Sequence, residues 1–76
     1  MKYKVKAFSR RQTEVLHLLA EQYTYDQMSS ILNLSKNTIH THVSKIMDKT
    51  GIRKQILLIK YAQRHGYGKK KRQASA

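Results

Sequence analysis

Signals for the start of a helix recur at short intervals along this chain of 76 residues, and they constrain its fold more than any other feature. Ser9 and Gln12 form a capping box, in which the serine side chain accepts from the amide three residues on, and Thr24 and Gln27 repeat the pattern. Ser35 is a third candidate N-cap. In a chain without proline, these signals predict several short helices in place of one long helix.

Apolar residues at helical spacing give each segment one side suited to a core. The bounds that these patterns predict are roughly 10–22, 25–32, 35–50 and 55–65. Gly51 and Gly66 end the last two helices, because glycine readily takes the left-handed conformation of a helix end. We therefore expect an all-α fold with a folded domain over 8–67, a basic N-terminal arm over 1–7 and a basic disordered tail over 68–76.

Charge is the most uneven property of the composition. Sixteen lysines and arginines against four aspartates and glutamates give a formal net charge of +12. Within 35–54, five basic residues stand against one acidic residue, whereas 8–34 holds two basic and three acidic residues. This concentration predicts a contact surface for a polyanion, either nucleic acid or an anionic membrane. The lack of cysteine excludes disulfides and thiolate metal sites.

The joint between the second and third predicted helices is only about three residues long, 33–35, as in a helix-turn-helix. Leu32 and Leu34 supply the apolar pair that flanks such a turn, and Asn33 tolerates a left-handed backbone. Ser29 is small enough to lie where the two helices meet. In a helix-turn-helix, the second of the two helices enters the major groove of DNA.

The third predicted helix has one apolar and one polar face. Its core anchor consists of Ile39, Val43 and Ile46. The predicted base contacts on or beside the opposite face are Asn37, His40, Thr41, Ser44 and Lys45. Asn37 can pair with adenine, Lys45 and a protonated His40 can donate to guanine, and Thr41 offers a methyl group to thymine.

A second group of polar residues is expected to hold the DNA backbone. Contacts to phosphates position a protein on the duplex without reading sequence, and basic residues at helix ends suit this role. The predicted phosphate contacts are Lys36, Thr38, His42, Lys49, Arg53 and Lys54.

Within a match that covers about residues 8–67, several stretches resemble the LuxR/GerE-type DNA-binding domain of NarL-like and FixJ-like response regulators. They are Phe8 to Leu16, Met28 to Ser35, Thr38 to His42, Ile46, Lys49 and Gly51-Ile52. The resemblance implies a domain of four helices whose third helix enters the major groove and whose fourth often mediates dimerisation. It places base-contacting sites on His40, Thr41 and Ser44, a backbone-contacting lysine on Lys49, and a recurrent histidine on His42.

Several positions depart from the family pattern. Gln12 replaces the usual glutamate of the first helix, Gln22 the glycine that ends it, and Ser29 a small alanine. His40 stands where a basic residue is usual, and Gln55 where an arginine commonly opens the fourth helix. The fold should survive these changes, but the DNA sequence that other members prefer does not transfer. The short arm before the domain resembles that of stand-alone GerE-like regulators, and a fragment excised from a longer protein is the alternative.

The fourth predicted helix carries an outward pair, Leu57 and Tyr61, that we expect to form the seam of a homodimer. Two recognition helices would then read half-sites about one DNA turn, roughly 34 Å, apart. The basic run Lys69 to Arg72 is expected to add affinity without sequence preference. Expected partners are double-stranded DNA, a second copy of the chain and RNA polymerase, in the cytoplasm and at the nucleoid, with no role at a membrane.

Enzymatic and metal-binding functions have little support. No nucleophile lies at a useful spacing from a base, and no glycine-rich phosphate loop exists. His40 and His42 lie about 200° apart around a helix and cannot share one ion. We expect no catalytic residue, cofactor or metal. The remaining alternatives are an RNA-binding or architectural DNA-binding protein without sequence preference, and a cationic amphipathic protein at a membrane surface.

Overall fold

Helices account for all the regular structure that the computed structural model describes, which is residues 7–68. In this part of the chain the helices are α1 (Arg10–Ala20), α2 (Tyr25–Leu32), α3 (Lys36–Thr50) and α4 (Gln55–Arg64), and there is no strand. The predicted all-α fold of four helices is confirmed. Residues 1–6 of the predicted arm and 69–76 of the predicted tail, including Lys69 to Arg72, lie outside the described residues.

The helix starts follow from local hydrogen bonds. The Ser9 hydroxyl oxygen accepts from the Gln12 amide at 3.2 Å, and Gln12 Oε1 accepts from the Ser9 amide at 3.0 Å. Thr24 and Gln27 make the same reciprocal pair at 3.1 and 2.9 Å. Ser35 accepts from the amide three residues on at 3.1 Å. All three predicted N-caps are therefore confirmed.

The helix ends depend on residues with a left-handed backbone. Asn33 has φ 58°, Gly51 has φ 77° and Gly66 has φ 88°, so the left-handed backbone predicted for the turn and for the ends of the last two helices is confirmed. The predicted end of the first helix at residue 22 is wrong, because α1 stops at Ala20. Gln22 has φ 64°, a conformation that cannot continue a right-handed helix.

The core is a set of apolar side chains contributed by all four helices, and the predicted anchor of α3 is part of it. Ile39 and Ile46 are fully buried, and Val43 is 3% exposed. Helix α1 packs on α3 and α4, while α2 packs on α3. The fully buried residues with the largest side chains are Leu16, Leu19, Met28, Ile39, Ile46, Leu58 and Val15. Because α3 is fixed by one face, its other face points away from the core.

The turn after α4 closes against α1. The Gly68 amide donates to His17 Nδ1 at 2.8 Å, and the Tyr67 ring meets the His17 ring edge-on at 5.1 Å. A Cβ on Gly68 would lie 2.8 Å from the Ala20 Cβ, and the φ of Gly68 is +77°. Only glycine fits this contact without a shift of α1 or of the turn.

Candidate nucleic-acid interface

The turn between α2 and α3 is closed by short hydrogen bonds. The Ser29 hydroxyl donates to the Leu34 carbonyl oxygen at 2.7 Å, and the Leu34 amide donates to the Ser29 carbonyl oxygen at 3.0 Å. Leu32 and Leu34 are half-buried and pack against the core on either side of left-handed Asn33. These contacts fix the angle at which α3 leaves α2 and so fix the direction of its outer face.

The structure brings the five predicted base-contacting side chains together as exposed residues along α3. They are Asn37, His40, Thr41, Ser44 and Lys45. The Thr41 hydroxyl donates to the Asn37 carbonyl oxygen at 3.1 Å, so its proton is already used within the helix. The methyl group and the oxygen lone pairs of Thr41 remain available to a ligand.

The predicted phosphate contacts differ in their exposure to solvent. Lys36, Arg53 and Lys54 are exposed, whereas Thr38 and His42 are half-buried. The Thr38 hydroxyl lies 2.9 Å from the Ser35 hydroxyl, within the cap of α3.

Lys36 forms an ion pair with Asp26 at 3.0 Å. Both side chains are more than half exposed, so the pair contributes little to stability and a phosphate can replace the carboxylate.

Lys49 has a structural role that the sequence did not indicate. Its Nζ donates to the Ala7 carbonyl oxygen and to Gln12 Oε1, both at 2.8 Å, and lies 5.4 Å from the centre of the Phe8 ring. An ammonium group has three N–H donors, so one remains for a phosphate. The lysine therefore ties the last turn of α3 to the start of α1, whatever it does on DNA.

Tyr25 lies beside the candidate interface, and sequence reasoning did not identify it. Its ring meets the His40 ring edge-on, with centroids 4.4 Å apart and planes at 80°. Its hydroxyl donates to Gln55 Oε1 at 2.7 Å. The position of Tyr25 at the first residue of α2, next to the predicted recognition helix, was the signal that could have found it.

The outer side of α4 is partly apolar. Leu57 is 49% exposed and Ile56 is 57% exposed, while Tyr61 is half-buried and stacks on His65 at 4.2 Å between ring centroids. Burial raises the pKa of the Tyr61 phenol, and nearby Tyr67 raises it further. Leu57 and Tyr61 line a shallow hollow on this side.

No group of three or more His, Cys, Asp or Glu side chains within residues 7–68 is placed to hold a metal ion. None of the helices described here has the length and apolarity needed to cross a membrane.

Two helices joined by a tight turn, with the second anchored by one face and exposed on the other, define a regulatory helix-turn-helix domain. The family model of bacterial regulatory proteins of the luxR family (GerE) matches residues 6–62. The chain belongs to this family, which consists of regulatory proteins and not of enzymes.

Curated relatives share the domain but are longer. The chain is 38% identical over 58 residues to the uncharacterized response regulatory protein YgeK of Escherichia coli (strain K12), covering 76% of this chain and 40% of that protein. It is 33% identical over 52 residues to the probable transcriptional regulator ycf29 of Pyropia yezoensis, covering 68% and 23%. For the nitrate/nitrite response regulator protein NarP of Escherichia coli (strain K12), identity is 31% over 48 residues, covering 63% and 22%.

The chain thus spans 22 to 40% of the length of these relatives. No solved structure gives a significant match.

Proposed function

We propose that this chain is a transcription regulator that binds duplex DNA in a sequence-specific manner, with α3 in the major groove. The observation that carries the proposal is the contrast between the two faces of α3. Ile39, Val43 and Ile46 are held in the core, while the polar residues opposite them are exposed. A helix anchored in this way presents its side chains to the base edges without reorganising.

The exposed residues supply the chemistry that base edges need. Asn37 can bond adenine in a bidentate manner, and Lys45 donates to guanine. The Thr41 methyl group suits thymine, and His40 and Ser44 lie between these contacts along the helix. The net charge of +12 supports the proposal, because each phosphate neutralised by a basic residue releases counterions.

A homodimer formed through α4 completes this function. Leu57 and Tyr61 provide the apolar part of the seam, and the two α3 helices then meet half-sites on the same side of the duplex. Through its DNA target the dimer acts in the cytoplasm, at the nucleoid, with RNA polymerase as a further partner.

Selection from random duplex DNA tests the proposal directly. We expect a palindromic site with half-sites about one helical turn apart, since two-fold symmetry of the protein is mirrored in the DNA. Recovery of no preferred sequence, with binding that weakens steeply in salt, would instead favour the alternative of nucleic-acid binding without sequence preference, to which the same net charge also points.

Two kinds of variant separate base reading from backbone binding. Ser44→Ala and Thr41→Ala should relax base preference at single positions, by about 1–3 kcal/mol each where the contact is direct. Arg53→Ala should weaken binding to all sequences alike and lower the salt dependence by about one phosphate contact. Lys49 is unsuitable for this comparison, because its removal also breaks the bonds to Ala7 and Gln12.

The dimer seam has its own test and a matched control. Leu57→Glu should give monomers in sedimentation, because it places charge in an apolar contact. Ile31→Glu makes the same change at a side chain on α2 that is 52% exposed, and should leave the oligomeric state unaltered. Equal behaviour of the two variants would remove α4 as the seam.

A further inference from the structure

Tyr25 links the predicted recognition helix to two other helices. It is the first residue of α2, its ring contacts His40 of α3 at 4.4 Å, and its hydroxyl donates to Gln55, the first residue of α4, at 2.7 Å. The hydrogen bond spans 30 positions of the sequence. Three helices therefore meet at one aromatic side chain beside the interface.

Tyr25 is well placed to act as a fixed support. It is half-buried and packs against the core, whereas both of its partners are exposed. The phenol is protonated at neutral pH because the ordinary pKa of tyrosine is about 10, and burial raises the pKa of Tyr25 further, so the hydroxyl can donate to Gln55. The packing of the ring against the core holds it in place, and the ring meets the imidazole edge-on.

An exposed imidazole at the surface of a helix would otherwise rotate among several orientations. An edge-to-face contact favours one ring orientation, since the positive edge of one ring meets the negative face of the other. The planes of Tyr25 and His40 stand at 80°, close to the perpendicular arrangement. The contact with Tyr25 therefore limits the orientations that the His40 ring can take.

We infer that Tyr25 is a positioning residue that orients the His40 imidazole for contact with a base, so that the base preference at this position of the DNA site is set by both residues. The inference rests on the proposed function. A direct role of Tyr25 on the DNA backbone is the competing explanation, and it requires the phenol to leave Gln55.

A double-mutant cycle tests the inference on the intact chain. The four proteins are the wild type, Tyr25→Leu, His40→Ala and the double variant. For each protein, competition between duplexes that differ from the selected site at single base pairs measures the base preference. Tyr25→Leu should change preference on the order of threefold to tenfold at the base pair that His40→Ala affects. In the His40→Ala background, Tyr25→Leu should have no further effect on preference.

Tyr25→Phe is the matched control, because it keeps the ring contact and removes only the hydroxyl. It should retain the wild-type preference within about twofold, as expected for a ring contact that persists. If it behaves like Tyr25→Leu, the ring contact does not position His40 and the inference fails. If Tyr25→Leu does not melt cooperatively, Tyr25→Met takes its place in the cycle, since methionine fills irregular space without a ring.

A measurement without DNA distinguishes positioning from direct backbone contact. The ring-proton resonances of His40 in the free protein should move in Tyr25→Leu and stay close to wild type in Tyr25→Phe, because the ring current of Tyr25 acts on them. Unmoved resonances in Tyr25→Leu would overturn the inference. So would a uniform loss of affinity for all duplexes without a change in preference.

Failure of the inference and failure of the proposed function give different results. A wild-type chain that selects no sequence overturns both. A chain that selects a site whose preferences His40→Ala leaves intact overturns the inference alone.

Discussion

The helix-turn-helix unit, residues 24–51, and the fourth helix are stabilised by different kinds of interaction. In this unit, each helix begins and ends at a residue whose type favours that position. Thr24 and Ser35 accept backbone amides at the two helix starts, and Asn33 and Gly51 take left-handed conformations at the two ends. Each of these interactions is local, within a few residues of sequence.

Helix α4 lacks a comparable cap at its start, although Gly66 after its end has φ 88° and the Tyr67 amide donates to the Ala62 carbonyl oxygen at 2.9 Å. Lys54 occupies its N-cap without a side-chain hydrogen bond, and a positive charge there meets the positive end of the helix dipole.

Further support for α4 comes from distant residues: Leu58 and Ala62 are fully buried in the core, and Gln63 Nε2 donates to the Ala20 carbonyl oxygen at 2.9 Å. The helix proposed to read DNA has local caps at both of its ends, whereas the helix proposed to dimerise depends on contacts with α1.

The largest effect that sharpens this comparison is expected at Leu58. Leu58→Ala removes a fully buried side chain between α4 and the core and should lower the free energy of unfolding by about 2–5 kcal/mol. Ile56→Ala is the control, because that side chain also lies on α4, is 57% exposed and is not part of the proposed dimer seam, and it should change stability by about 0.5 kcal/mol or less. Thermal or urea unfolding of the two variants measures the difference, and similar losses would show that α4 is not held through Leu58.

Lys54 should show opposite effects on stability and on DNA binding. Lys54→Ser supplies the missing cap of α4 and should stabilise the domain by about 1 kcal/mol. It should also weaken binding to every duplex, with a salt dependence lower by about one phosphate contact. Unfolding curves and salt titrations measure the two effects.

Lys60→Ser controls for the loss of charge, since Lys60 lies exposed within α4 and cannot cap it. If Lys60→Ser and Lys54→Ser stabilise equally, capping is not the cause.

Gln22 extends the comparison to the end of α1. Gln22 has φ 64°, a conformation that glycine or asparagine usually takes. Gln22→Gly should therefore stabilise the domain by about 0.5–1 kcal/mol. Gln22→Ala keeps a Cβ and should give no gain. A melting temperature that does not rise in Gln22→Gly would contradict the assigned strain.

The smallest effect is expected at the hydrogen bond that joins the two regions. Burial raises the pKa of Tyr25 in the folded chain, so the neutral phenol is favoured there. Its contribution to stability is full below the ordinary tyrosine pKa of about 10 and is lost as the pH rises through the folded value. As the pH rises from about 9 to 11, the free energy of unfolding of Tyr25→Phe should therefore fall less than that of the wild type. Melting temperatures of the two proteins, measured over that pH range, test this prediction. An equal fall in both proteins would contradict it.

Local rules predicted the parts of the fold that depend on local interactions. The caps at Ser9, Thr24 and Ser35 and the stop at Asn33 each involve partners within five residues, and all were foreseen. The end of α1 was misplaced because Gln22 is neither the glycine nor the asparagine that usually marks a helix end, although the family pattern already marked Gln22 as a glycine position.

The environment of the candidate site was less accessible to sequence reasoning. The exposure of the polar face of α3 follows from helical periodicity, and the structure agrees with it. The bonds of Lys49 to Ala7 and Gln12 span 42 and 37 positions, and the contact of Tyr25 with His40 joins separate helices. No periodic pattern encodes such pairs, and the contacts of these residues with DNA stay predictions.

The bond from Lys49 to Ala7 has a mechanical consequence. Ala7 is the first residue that the structure describes, and Lys49 lies in the last turn of the proposed reading helix. The Lys49 ammonium group couples the backbone at Ala7 to the last turn of α3 by a route outside the core. Loss of that ammonium group would therefore release the backbone at Ala7 without removing the core anchor of α3.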